Sequence, residues 1–165
     1  MCTDYEAPVA QWVGQLKYGG QYGMAKVLAA WLTWVIHPHH STLRLCKTLP
    51  DCWVAVPMHP SKIRVRGYNQ AHELARALSD LTGRPLVAEG LRKVRRTAAQ
   101  AENSMEARSL NLLHSMVSSR LWRGQTIGLV DDVLTTGSTM EACEQALSAA
   151  GAKRVDRYAI CRTAE

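Results

Sequence analysis

"IGLVDDVLTTGST", residues 127–139, places two adjacent carboxylates, Asp131 and Asp132, at the end of an apolar run and then, past Val133 and Leu134, supplies only Thr, Gly and Ser. The pattern predicts a buried strand over 126–133, a short loop, and a helix over 138–150. A Ser138-x-x-Glu141 capping box would open that helix and Gly151 would stop it. In open α/β sheets the carboxyl end of such a strand is where ligands bind. Gly137 has no Cβ and lets the backbone turn and approach a ligand closely. The loop N–H groups and the partial positive charge of a helix N-terminus form a seat for phosphate. Hydroxyls of Thr135, Thr136, Ser138 and Thr139 add donors without bulk. The two carboxylates meet the opposite need, accepting hydrogen bonds from a diol or holding a hydrated Mg²⁺. Diol-facing acids beside a phosphate cradle describe a site for a sugar phosphate such as ribose 5-phosphate.

Rival motifs fail on spacing. A Walker A loop requires Lys after its second glycine, and none follows Gly137. A haloacid-dehalogenase-type phosphatase wants Asp-x-Asp, but Val133 stands two positions after Asp131. A dinucleotide fingerprint needs three spaced glycines, and this loop has one. An acidic turn before a well-capped helix is the purely structural alternative, and it leaves the order of elements around it unexplained.

Working outward, residues 7–18 and 22–36 read as helices, with Val9, Trp12, Val13 and Leu16 at helical spacing. "WVAVP", residues 53–57, is a short buried strand. Residues 69–83 form a helix with Asn69 as N-cap and Gly83 as its stop. A strand is expected over 85–91, a helix over 104–113 and a final strand over 155–161. Strands alternating with helices predict an α/β domain with a largely parallel sheet flanked by helices. Its 165 residues are enough for one domain with a real core, so residues 1–165 are read as a single unit.

Apolar residues make up 47% and charged residues 21%, an ordinary globular balance. No uncharged apolar run reaches about 18 residues, so no membrane span is expected. No basic-then-apolar leader opens the chain, and a cytoplasmic protein is the default expectation. The five cysteines (2, 46, 52, 143 and 161) contain no C-x-x-C pair, which suggests neither a zinc ribbon nor a disulfide framework. Cys143 and Cys161 lie in apolar segments, as buried thiols acting as small hydrophobes would. "HPHH", residues 37–40, reads as a solvated connector rather than a metal site. Of the net charge of +6, residues 58–108 carry +5, from ten Lys or Arg against five Asp or Glu. Such a concentration suits an anionic partner, nucleic acid or a polyphosphate, or else it is a solvated face.

"VDDVLTTGST" resembles the phosphoribosyl pyrophosphate (PRPP) motif of type I phosphoribosyltransferases. More of the chain is similar to one branch, the ComF (competence protein F) and GntX-like family. The likeness lies at "LKYGG" (16–20), "VPMHPSKIRVRGYNQAHELARAL" (56–78), "RRTAAQAENSMEARSLNL" (95–112) and the closing "CRT" (161–163). It implies a type I phosphoribosyltransferase-like fold, with Asp131 and Asp132 on the ribose hydroxyls and residues Thr135, Thr136, Gly137, Ser138 and Thr139 on the 5-phosphate. Pyrophosphate would fall to the loop holding Pro57, Met58, His59 and Lys62, with Arg66 beyond it. Arg64, Tyr68, Asn69 and Gln70 would reach pyrophosphate or the second substrate. A basic hood would include Arg95, Arg96, Gln100, Arg108 and Asn111.

The implied activity is transfer of a 5-phosphoribosyl group from PRPP to an unidentified acceptor, with Mg²⁺ accompanying the PRPP and touching Asp131 and Asp132, directly or indirectly. The alternatives are a PRPP-binding module without turnover, or a single-stranded-DNA-binding accessory of DNA uptake that uses the basic middle third. Two departures stand out. Many ComF-like proteins begin with a cysteine-rich zinc segment, whereas this chain has only Cys2 there, as in a short variant or a truncated gene product; no zinc is expected. Hypoxanthine-type salvage enzymes carry an aspartate base where Thr135 stands, so no catalytic base is assigned.

Overall fold

The computed structural model describes residues 3–4, 8–18, 22–36, 49–94 and 115–163. In chain order the elements are β1 (Thr3–Asp4), α1 (Val9–Tyr18), α2 (Tyr22–Ile36), β2 (Cys52–Ala55), α3 (Pro60–Arg66) and α4 (Gln70–Thr82). Then come β3 (Leu91–Lys93), β4 (Met116–Ser118), β5 (Thr126–Leu134), α5 (Ser138–Ala149) and β6 (Arg154–Arg162). Four strands form a parallel sheet in the order β1-β6-β5-β2, and β3 pairs with β4 in a separate antiparallel ribbon. This is the expected α/β architecture, a parallel sheet flanked by helices.

Strand polarity and the right-handedness of parallel crossovers place the layers. From β2 the chain runs through α4 to a parallel bridge between Leu86 and Trp53, on the side of β2 away from β5. It later returns to β5, on the other side of β2, and continues through α5 to β6. The two crossovers step in opposite directions, so α4 and α5 cover opposite faces. Helices α1 and α2 join α4, and the ribbon packs on α5. The direction of winding reverses between β2 and β5. That reversal opens a crevice at the carboxyl ends of the two strands.

The pleat assigns each β5 residue to a face. Trp53, fully buried, donates through Nε1 to Thr82 Oγ1 of α4 at 2.9 Å, which fixes its ring on the α4 face. It pairs in register with Gly128, and a Cβ on Gly128 would lie 2.4 Å from that ring. Residues 128, 130 and 132 therefore face α4, whereas 127, 129 and 131 face α5. Tyr158 meets Trp53 edge-on at 5.1 Å and completes the α4-side core.

Three expectations need correction. The strand over 85–91 shrinks to the Leu86 bridge, because Pro85 has no N–H and the chain turns at Ala88 and Glu89. Residues 60–62, expected in the loop, instead open α3, with Pro60 in its first turn and His59 as N-cap. The capping box does not form: Ser138 is already helical, Gly137 is the N-cap with φ 78°, and no side chain caps α5. Elsewhere Asn69 caps α4 as expected, its side chain accepting from Ala71 N at 3.1 Å. The helix expected over 104–113 and the His37–His40 stretch lie outside the described residues.

Candidate functional site

The site follows from where β2 stops. Its pairing with β5 ends at Ala55 opposite Val130, and Val56 N adds one last bond to Val130 O at 2.9 Å. Pro57 then has no N–H to donate, and the chain leaves the sheet. Strand β5 runs on alongside β6, with Asp131 opposite Ala159 and Leu134 opposite Arg162. Asp131 and Asp132 thus emerge where their strand has lost one neighbour, beside a cleft of about 290 Å³.

That cleft gathers residues from five elements and their loops. Asp131 and Asp132 form one side, with Thr139 from the first turn of α5. Pro57, Met58, His59, Lys62 and Arg66 come from the β2–α3 loop and α3, and Asn69 and Gln70 from the start of α4. Lys93 reaches in from β3. The arrangement brings an acidic pair and several basic side chains into one cleft, which suits a ligand with a hydroxylated part and a polyanionic part.

The local bonding assigns roles. Asp132 N donates to Asp131 Oδ1 at 2.9 Å, and Val133 N donates to Asp132 Oδ1 at 2.9 Å. Each carboxylate is therefore oriented by the next backbone N–H. His59 Nδ1 accepts from Ser61 N at 3.2 Å and lies 2.7 Å from Ser61 Oγ. With Nδ1 engaged by Ser61, Nε2 is the ring nitrogen outside this local bonding. Residues Thr135 to Gly137, which form the adjoining loop, and Ser138 at the start of α5 are absent from the cleft wall, with Thr135 and Thr136 exposed. Thr136 Oγ1 and Ser138 Oγ bond each other at 2.9 Å, so Ser138 is turned away from capping. The start of α5 therefore has no side-chain cap.

Some expected site residues serve the scaffold. Tyr68 donates its hydroxyl to the Leu16 carbonyl of α1. Asn69 is consumed twice, capping α4 and donating Nδ2 to Val56 O at 3.0 Å. Arg64 is exposed and lines no part of the cleft. Arg95, Arg96, Gln100, Arg108 and Asn111 lie outside the described residues. Lys93 was legible only as part of a basic run; nothing in its own sequence neighbourhood singles it out.

On the α5 side, near Asp131, sits Cys143, fully buried. Burial pushes its thiol up to about 12, the Asp131 carboxylate adds to the rise, and Lys93 opposes it. Asp131 and Lys93 are thereby placed on the α5 side, in agreement with the pleat. Burial also raises Cys52, with Asp51 adding and Arg120 opposing. Among the described residues, no group of three or more His, Cys, Asp or Glu is placed to hold a metal. No helix among them is long and apolar enough to cross a membrane.

Comparison with known proteins agrees with this arrangement. Residues 63–165 match the phosphoribosyl transferase domain family. DNA utilization protein YhgH of Salmonella typhi is 32% identical over 161 residues, covering 98% of this chain and 70% of that protein. Competence protein F of Haemophilus influenzae is 28% identical over 161 residues, 96% of this chain and 69% of that protein. Among solved structures, the glutamine PRPP amidotransferase of B. subtilis, complexed with ADP and GMP, superposes with a TM-score of 0.56 at 19% identity. The superposition covers 89% of this chain and 30% of that one, and shows a shared fold. With a family match over most of its length and a cleft at the reversal point of its sheet, the chain belongs to the phosphoribosyl transferase domain family, among relatives of competence protein F.

Proposed function

We propose that the cleft binds PRPP and that the protein transfers its 5-phosphoribosyl group to an acceptor, releasing pyrophosphate in the cytoplasm. The observation that carries this reading is that one crevice is lined both by Asp131 and Asp132 and by His59, Lys62, Arg66 and Lys93. The acid pair accepts hydrogen bonds from the ribose hydroxyls, the start of α5 and the hydroxyls of Thr135, Thr136, Ser138 and Thr139 take the 5-phosphate, and the basic side chains take the pyrophosphate. The acceptor's nucleophilic atom bonds to C1 as the C1–O bond breaks, and the electron pair leaves with pyrophosphate. Thr135 is not a base, so the acceptor's proton goes to water or to a departing phosphate oxygen. Positive charge grows on the ribose ring and negative charge on the leaving group. The carboxylates stabilise the first and the basic side chains the second.

Magnesium fits this site as an ion carried by the substrate. Each acid gives one oxygen to a backbone N–H, and no third acid, His or Cys joins them to complete a cage among the described residues. Such a pair suits an ion held mainly by phosphate oxygens and water. When bound it would neutralise charge on the departing pyrophosphate.

Calorimetry and thermal shift with PRPP, ribose 5-phosphate and Mg²⁺ test the reading. PRPP at a hundred times its dissociation constant should stabilise the fold by about 2.7 kcal/mol. Asp131→Asn with Asp132→Asn should preserve folding and weaken PRPP binding, since a hydrogen bond to a charged group contributes about 1.5–3 kcal/mol. No shift with millimolar PRPP in the wild-type chain would remove the sugar-phosphate reading. Magnesium-dependent release of pyrophosphate with an acceptor separates transfer from binding without turnover. A second reading, single-stranded DNA bound along residues 58–108, draws on the charge of +5 there and on the DNA utilization and competence names of its relatives. Binding whose salt slope is unchanged after Arg92, Lys93, Arg95 and Arg96 are neutralised would refute it.

A further inference from the structure

Gln70 begins α4 with only 1% of its surface exposed, yet it forms part of the cleft wall. Its carboxamide Nε2 is buried and makes no hydrogen bond. Buried donors without protein partners are rare in native proteins and mark strain, a functional role, or a place taken by water or a ligand. Its neighbour shows no such deficit: both ends of the Asn69 side chain are bonded, one to Ala71 N and one to Val56 O. The second of these bonds clamps the start of α4 to the end of β2. Val56 N in turn bonds Val130 O, two residues before Asp132. Gln70 is thus held beside the end of β5, on the face to which the pleat turns Asp132.

The pairing of groups limits what can enter. A phosphate oxygen only accepts, so Gln70 would attract it while the Asp132 carboxylate repelled it. A hydroxyl both donates and accepts, and satisfies an amide N–H and a carboxylate together. We propose that Gln70 is a specificity-determining residue whose Nε2–H donates to a ring hydroxyl of the bound sugar phosphate, the same hydroxyl that donates its proton to Asp132. The assignment rests on the sugar-phosphate reading of the cleft and adds a hydroxyl sensor to it.

The test uses the full chain, wild type against Gln70→Leu and the unbranched Gln70→Met. Calorimetry would follow sulfate, ribose 5-phosphate, 2-deoxyribose 5-phosphate and 3-deoxyribose 5-phosphate. Both variants should bind ribose 5-phosphate about tenfold more weakly. Their affinity for sulfate should be unchanged, as should that for whichever deoxy sugar lacks the hydroxyl being read. Without ligand, both should melt at or above the wild-type temperature, because removing an orphaned donor removes its desolvation cost. Equal loss on sulfate would make Gln70 a phosphate contact, and an unchanged ribose 5-phosphate affinity would mean that water alone fills the position. A marked drop in melting temperature in both variants would make Gln70 structural. Each of these three results overturns the proposal. Wild-type protein that binds sulfate but no ribose 5-phosphate would instead overturn the sugar-phosphate reading itself, and this inference with it.

Discussion

Gly128→Ala should be among the most damaging single substitutions in the chain, although it adds one methyl group. The new Cβ would sit 2.4 and 2.5 Å from two carbons of the Trp53 ring and 2.8 Å from Pro50 Cγ. Favourable carbon–carbon contacts lie at about 3.5–4.0 Å, so the overlap is on the order of 1 Å. The ring cannot retreat easily: it is fully buried, bonded through Nε1 to Thr82 and packed edge-on to Tyr158. Overpacking of this kind costs about 1–3 kcal/mol. If the ring moves, an orphaned buried N–H costs about 1–3 kcal/mol more. A total of about 3 kcal/mol should lower the urea midpoint by about 1–2 M for a domain of this size, followed by tryptophan fluorescence. Trp53→Leu shrinks the obstacle, and the double variant should recover at least about 1 kcal/mol relative to additivity. A loss below about 1 kcal/mol, or a strictly additive double variant, would show that β5 does not press on Trp53 as described.

Two further outcomes concern the loop and the buried thiol. Gly137→Ala meets no steric obstacle, its Cβ lying 3.7 Å from Leu134 Cδ1, so its cost should come from φ 78° alone, about 1–2 kcal/mol, together with weaker ribose 5-phosphate binding; an unchanged melting temperature would mean that the loop relaxes. The folded Cys143 thiol keeps its proton up to about 12 while the unfolded one releases it near the ordinary 9.0. Its stabilising contribution is therefore complete below pH 9 and is lost as pH rises towards 12, by up to about 1.4 kcal/mol per pH unit. Urea midpoints between pH 9 and 11 should fall less steeply in Cys143→Ala than in wild type, and equal slopes would contradict the burial argument.

The parts of the molecule legible in the sequence are those whose signals are local. An apolar run, two acids, one glycine and an amphipathic stretch within 25 residues define β5, the loop and α5, and Asn69 announces α4 by a side-chain bond to its own backbone. Helix α3 was illegible for the converse reason. None of its residues is buried, so "PSKIRVR" carries no apolar stripe, and only Pro60 behind His59 hints at a helix start. Spacing misled at Ser138, because a capping box and a glycine N-cap share the same letters. What separates them is the positive φ of Gly137, which swings the Ser138 hydroxyl to Thr136. Lys93 enters the cleft through a ribbon whose strands lie more than twenty residues apart, a pairing that neither three-residue strand encodes alone.

Gln70 is the sharpest case of a meaning that local sequence cannot hold. Asn69 and Gln70 differ by one methylene and stand side by side, and either could cap a helix or reach a ligand. The capping bond and the Val56 carbonyl consume Asn69, and that leaves Gln70 as the amide with an unused donor. The same clamp that satisfies the first residue holds the second in place, buried and facing Asp132's side of the sheet. A helix start and a ligand contact are therefore one construction: removing the Asn69 clamp would free α4 to tilt, and the donor of Gln70 would lose its aim before its chemistry changed.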